Sequence, residues 1–164
     1  MRKFALLLAL AACGFRPLYE KTPARDVSAL AAKVWIAPVK GYDGAPGVDL
    51  RNAVARGLGS GGNPKSPAFR LNMEMAEPSI YDYTLRTDGT ASSYMVTVSV
   101  KYELSDSGAA AKVLSGTASH SLSYNILNDK YSTEALRAGT IKLVIENIAN
   151  QVSLAVVGYL SGRK

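Results

Sequence analysis

Cys13 is the single cysteine of this 164-residue chain, and it closes the run Leu10-Ala11-Ala12-Cys13. Arg2 and Lys3 stand ahead of it, followed by the apolar stretch Phe4 to Ala12. A basic start, a short apolar core and small residues before a cut describe a secretory leader. A cysteine directly after the cut is the arrangement of a bacterial lipoprotein signal. The chemistry expected of Cys13 is therefore lipid attachment through its sulfur, with residues 1–12 removed. As a helix, Phe4 to Ala12 would rise only about 14 Å, half a bilayer, so the stretch reads as a leader and not as a membrane span.

Other chemistry is thinly represented. His120 is the only histidine, flanked by Ser119 and Ser121. A Ser-His-acid triad would need one of those hydroxyls beside the imidazole, yet neighbours on a strand point to opposite faces. No Gly-x-Ser-x-Gly elbow occurs. One histidine and a lipid-bearing cysteine leave no zinc set, so no metal site is expected. The glycines between Gly57 and Gly62 follow a predicted helix, whereas a phosphate-binding loop must precede one. Glu74, Glu77, Asp82 and Asp88 are scattered, with no convincing carboxylate pair. The sequence thus predicts a protein that is not an enzyme and carries no cofactor beyond the covalent lipid on Cys13.

Charge narrows the partners. The chain has 19 basic and 13 acidic side chains, and removal of Arg2 and Lys3 with the leader lowers the net charge from +6 to +4. No run of four Lys or Arg occurs, so the basic stripe of a nucleic-acid protein is missing. A single acyl chain holds a protein only reversibly, while two or three make release negligible. Gly14, and not aspartate, follows the cysteine, which favours the outer membrane in Gram-negative bacteria.

The elements that would follow the anchor are readable from periodicity. Residues 13–28 form a tether, and residues 29–164 one domain. Lys33 to Ala37 is a short β-favouring run closed by Pro38. Val48, Leu50, Val54 and Leu58 recur at helical spacing before the glycine run and Pro64 stop the helix. Phe69, Leu71, Met73 and Met75 alternate with Arg70, Asn72 and Glu74, a half-buried strand. Ser79 to Thr87 continues extended up to Asp88-Gly89, a hairpin signal. The return strand carries Tyr94, Val96, Val98, Val100, Tyr102 and Leu104 on one face, and a turn at Asp106 to Gly108 leads into Ala111 to Tyr124. A long amphipathic helix, capped by Ser132 or Thr133, runs to about Leu160. The predicted fold is α+β in two layers, with two helices on one face of a mixed, mainly antiparallel four-stranded sheet.

The residues around the lipid site are more specific. Cys13-Gly14-Phe15-Arg16-Pro17-Leu18-Tyr19 resembles the start of mature members of the LPS-assembly lipoprotein family, LptE, in its alphaproteobacterial form. The order strand, helix, Asp-Gly hairpin, and Tyr124-Asn125 ahead of the last helix is also similar to that group. The resemblance implies an outer-membrane lipoprotein that plugs the lumen of the β-barrel LptD. The pair would deliver lipopolysaccharide to the cell surface. It further implies basic contacts to LPS near the hairpin tip, where Arg86 stands, and ahead of the last helix, where Lys130 stands. A plug must offer polar and aromatic groups to a wet lumen, and Tyr81, Tyr83 and Tyr94 flank the hairpin for that purpose. The alternative is a free-standing outer-membrane lipoprotein holding an envelope glycan or small ligand, which would keep a concave pocket beside that hairpin.

Overall fold

The computed structural model describes residues 27–42, 44–87 and 89–162; Cys13, the leader, most of the tether and Asp88 of the hairpin turn lie outside them. The chain runs α1 (Val27–Ala31), β1 (Val34–Ile36), β2 (Lys40–Gly41), α2 (Ala45–Gly57), β3 (Phe69–Met75), β4 (Ser79–Leu85), β5 (Ala91–Asp106), β6 (Lys112–Asn125) and α3 (Lys130–Gly162). This is the α+β domain expected, but with six strands and three helices in place of four and two.

The extra strands have a physical cause. β5 is 16 residues long, about 53 Å at strand rise, and one partner does not fill its edge. β3 pairs with Met75↔Val100 to Phe69↔Asp106, and β4 takes the other half from Ser79↔Thr97 to Leu85↔Ala91. Both are antiparallel to β5 and lie end to end, separated by Ala76, Glu77 and Pro78. Proline cannot donate to a ladder, so the run breaks there. On the far side of β3, β1 and β2 both pair parallel to it, at Val34↔Phe69 and Lys40↔Glu74, again interrupted at a proline, Pro38. β6 covers the opposite edge of β5.

β1, α2 and β3 make the parallel crossover. Pro46 in the first turn lets α2 begin at Ala45, earlier than the apolar spacing suggests. Gly59, at φ 62°, releases the chain at the other end. Arg51 fastens α2 to the sheet by donating from Nε to Ile36 O (3.1 Å) and from Nη2 to Asn63 Oδ1 (3.0 Å).

One core joins both layers. Val34, Ile36, Phe69, Leu71, Met73, Met75, Val96, Val98, Val100 and Leu104 form the buried face of the sheet. Leu50 and Val54 reach it from α2, and Val144, Ile145, Ile148, Val152, Val156 and Leu160 from α3. Burying one such side chain contributes about 1.5–3 kcal/mol. α3 is long and apolar enough by composition to cross a membrane. Its buried face, however, is spent on the sheet, which makes it the core helix of the domain. The outer face of the sheet is polar, with Arg70 stacked 4.4 Å above the Trp35 ring and Lys112 paired to Glu103 at 2.5 Å.

Candidate binding end of the domain

The β4–β5 hairpin and the start of α3 emerge at the same end of the sheet, because Ser93 pairs with Asn125 and Ile126 donates to Ser92 O (3.0 Å). At the tip, Gly89 donates to Arg86 O (2.9 Å), and Arg86 donates to Thr90 O (2.7 Å). Gly89 sits at φ 81°, a conformation cheap only for glycine. Arg86 is thereby held at an exposed turn.

Below the tip the strand is irregular. Register shifts between Asp82 and Thr84 leave Tyr83 as an unpaired extra residue, a bulge that re-aims its side chain. Thr84 Oγ1 holds the distortion together, lying 2.7 Å from Ser92 Oγ and 2.6 Å from Ser93 Oγ. The outcome is an apolar surface on a short strand: Tyr81, Tyr83 and Leu85 are 51%, 54% and 63% exposed.

Tyr94 behaves differently from its two partners in the sequence reading. Its backbone opposes Asp82 and Tyr124, and its ring lies 5.7 Å from the Tyr124 ring, tilted by 49°. It is half-buried against the core. Burial pushes the Tyr124 hydroxyl above its ordinary pKa, an effect opposed by Arg137 and reinforced by Glu134 and Tyr94. Tyr94 therefore anchors the base of the hairpin, while Tyr81 and Tyr83 face outward.

Lys130 is exposed and opens α3. The cap is Asp129, one turn ahead of the expected Ser132 or Thr133. Its carboxylate accepts from Ser132 N (2.8 Å), Ser132 Oγ (2.6 Å) and Tyr131 N (3.3 Å). Ser132, by side chain and then backbone, holds the Asp129 carboxyl below its usual range. Thr133 instead pins the preceding loop, accepting from Leu127 N at 3.0 Å. Since Asp129 occupies the amides of the helix end, the ammonium of Lys130 is what this end offers an anion.

The first turns of α3 overhang the sheet. Tyr131, Leu136 and Arg137 are exposed, Tyr131 to 87%. Their position was missed in the sequence because the apolar stripe on the sheet starts only at Ile141; the signal was an apolar Tyr131 and Leu136 ahead of that register. Arg86 and Lys130, 44 positions apart in the chain, thus share one end of the molecule, bordered by Tyr83, Leu85 and Tyr131.

Elsewhere the geometry gives little to catalysis. His120 opposes Val98 on the helix-facing side, while Ser119 and Ser121 oppose Ser99 and Thr97 on the outer side. No group of three His, Cys, Asp or Glu fit to hold a metal occurs among the described residues. A shallow concavity of about 670 Å³ lies on the outer sheet face, bounded by Lys40, Arg70, Asn72, Lys101, Glu103 and Lys112. Its β5 lining residues, Lys101, Tyr102 and Glu103, belong to the half of that strand paired with β3, and none of the residues paired between β4 and β5 lines it.

Residues 31–155 match the sequence model of the lipopolysaccharide-assembly family LptE. No curated protein matches the chain. A Caulobacter crescentus protein of known structure superposes at a TM-score of 0.63 with 19% identity, covering 84% of this chain and 97% of its own. A minor lipoprotein of Acinetobacter baumannii follows at 0.53 and 13%, covering 77% and 92%. An uncharacterized lipoprotein B of Nitrosomonas europaea gives 0.51 and 15%, covering 75% and 86%. These three likenesses concern the fold.

Proposed function

The chain belongs to the lipopolysaccharide-assembly family LptE, and on that premise we propose that it is an outer-membrane lipoprotein, anchored through Cys13, that plugs an LptD-like β-barrel. In this reading it is a binding and assembly partner, not a catalyst, and needs no cofactor beyond its lipid. The observation that carries the reading is the exposed hairpin. Tyr81, Tyr83 and Leu85 together present more apolar surface than a strand with one half-buried core residue, Ile80, needs for its own fold. Tyrosines with a free ring face and a polar tip suit a wet barrel wall. Arg86 and Lys130 at the same end suit the phosphates of lipid A, where charge-assisted hydrogen bonds are strongest.

The free-standing ligand binder would keep its pocket beside the hairpin, yet the concavity lies on the outer face around Arg70 and Lys101. That observation favours the plug. Affinity isolation of the chain from detergent-solubilised outer membranes, followed by identification of partners, tests it. A large β-barrel protein should co-purify. Recovery of the chain alone, or with soluble periplasmic proteins only, would defeat the proposal.

A further inference from the structure

At its β3 end, away from the hairpin, the outer face of the sheet carries a grid of polar side chains. Arg70, Asn72 and Glu74 alternate outward along β3. Across the strands Trp35 stands opposite Arg70, Glu103 opposite Asn72, and both Lys40 and Lys101 opposite Glu74. Ser115 and Thr117 on β6 extend the last two rows. Alternate residues of a strand are about 7 Å apart and neighbouring strands about 4.8 Å, so the grid measures roughly 14 Å each way. It underlies the concavity of about 670 Å³, which Pro38 and Lys112 also line. That volume falls within the range of ligand pockets, about 300–1,000 Å³.

Most of these groups are not spent on one another. Lys112 neutralises Glu103. Lys40, Glu74 and Lys101 are cross-strand neighbours, yet among the described residues they form no ion pair. The half-buried Asn72 amide makes no hydrogen bond among the described residues either. The Arg70 guanidinium lies 4.4 Å above the centre of the Trp35 ring, and none of its five N–H groups meets an acceptor among the described residues. Stacking fixes the guanidinium plane and leaves its edge open, the side that takes a carboxylate or phosphate in two parallel bonds. With Glu103 and Lys112 paired, three cations face one carboxylate, so the concavity favours an anion.

We propose that this concavity binds an acidic saccharide, an oligosaccharide bearing phosphate or carboxylate groups. Arg70 takes one acidic group on its open edge, Lys40 and Lys101 hold negative charge at the other end of the grid, and Asn72 and Glu74 bind the hydroxyls between. A sugar hydroxyl donates and accepts at once, which suits a surface where Glu74 stands between two lysines and Asn72 does both. An acidic peptide would be held by apolar anchors as well, and among the described residues no exposed large apolar side chain lines the concavity. The source of the sugar rests on the barrel reading: the saccharide of a lipopolysaccharide crossing a wet lumen meets the side of the sheet that carries no helix.

The test titrates the full chain in detergent with the lipid-free core oligosaccharide of lipopolysaccharide. It follows the heat of binding and the emission of Trp35, the only tryptophan. Emission should change saturably, because the acidic group meets the guanidinium stacked on that ring. Arg70→Gln and Lys101→Gln lie at exposed positions, so both should keep the far-ultraviolet spectrum of the parent while weakening binding about ten-fold or more. Lys142→Gln removes the same charge from an exposed position on α3, in the other layer, and should leave the affinity unchanged. So should Arg86→Glu with Lys130→Glu, at the hairpin end. A neutral oligosaccharide of equal length, an acidic peptide and inorganic phosphate should each bind about ten-fold more weakly or less. Absence of saturable binding overturns the proposal, as does equal affinity for any of those three probes. Equal weakening by Lys142→Gln or by the hairpin-end pair does the same, since the sugar then answers to net charge or sits elsewhere. Any of these results leaves the barrel reading to its own co-purification experiment.

Discussion

Gly57 on α2 lies so close to Ser153 on α3 that a methyl group at position 57 would stand 2.5 Å from Ser153 Oγ and 3.0 Å from its Cβ. The two helices that share the core meet at this point, and neither has room to grow there. Ser153 Oγ is buried and makes no hydrogen bond. Gly57→Ala should therefore cost about 1–3 kcal/mol, the usual penalty of overpacking. Ser153→Ala should be neutral or stabilising, because it removes a buried hydroxyl with no partner. Urea unfolding of the two variants measures both; a silent Gly57→Ala would contradict the close approach.

Tyr81 and Tyr83 should separate from Tyr94 by phenotype. Replacing either exposed ring by serine should leave the unfolding midpoint nearly unchanged while lowering recovery of the barrel partner. Tyr94→Ser should lower the midpoint by about 1–3 kcal/mol in stability, since it empties the contact with Tyr124. Parallel pull-down and denaturation of the three variants decide the matter. Equal destabilisation by all three would mean that the hairpin tyrosines serve only the fold.

Arg86→Glu combined with Lys130→Glu reverses two charges at one end of the domain. Binding of purified LPS should weaken by about a hundred-fold or more, given that each of two charge-assisted hydrogen bonds contributes about 1.5–3 kcal/mol. Isothermal titration at two salt concentrations provides the readout. Unchanged affinity would remove both residues from the site.

The α3 cap should respond to acid. The Asp129 carboxyl is held below its ordinary pKa by Ser132 and Tyr131. A depressed folded-state pKa contributes stability above the unfolded value and loses it as pH falls through the folded one. Amide exchange at Tyr131 and Ser132, corrected for intrinsic rate, should thus accelerate as pH drops below about 4. Asp129→Asn should flatten that response, and an unaltered profile in the variant would point to another group.

Cys13→Ala should release the protein from the membrane while leaving the domain folded, because the only cysteine cannot belong to an internal disulfide. Fractionation and circular dichroism of the variant follow the two consequences separately. Loss of both together would show that the anchor region supports the fold.

Much of this architecture was written in local patterns. The alternation from Phe69 to Met75 sets a strand with one buried face, and the apolar repeat from Ile141 to Tyr159 sets a helix that needs a sheet. What local patterns do not carry is pairing over distance. Nothing between Met75 and Ser79 announces that β3 and β4 will share a single edge of β5, because that depends on the length of β5. Likewise Tyr94 belongs with Tyr81 and Tyr83 by proximity in the chain, yet its place on the same face of β5 as Val96 and Val98 gives it to the core. The cap at Asp129 displaced Ser132 because a carboxylate can take two amides and a hydroxyl at once.

The division of labour along β5 has a mechanical consequence. Its far half, with β3, carries the interior of the domain, whereas β4 brings to that interior little more than Ile80. The tyrosine-bearing strand can thus give its outer surface to whatever wall it meets while the body behind it, tied across the break by β5 and β6, keeps its shape.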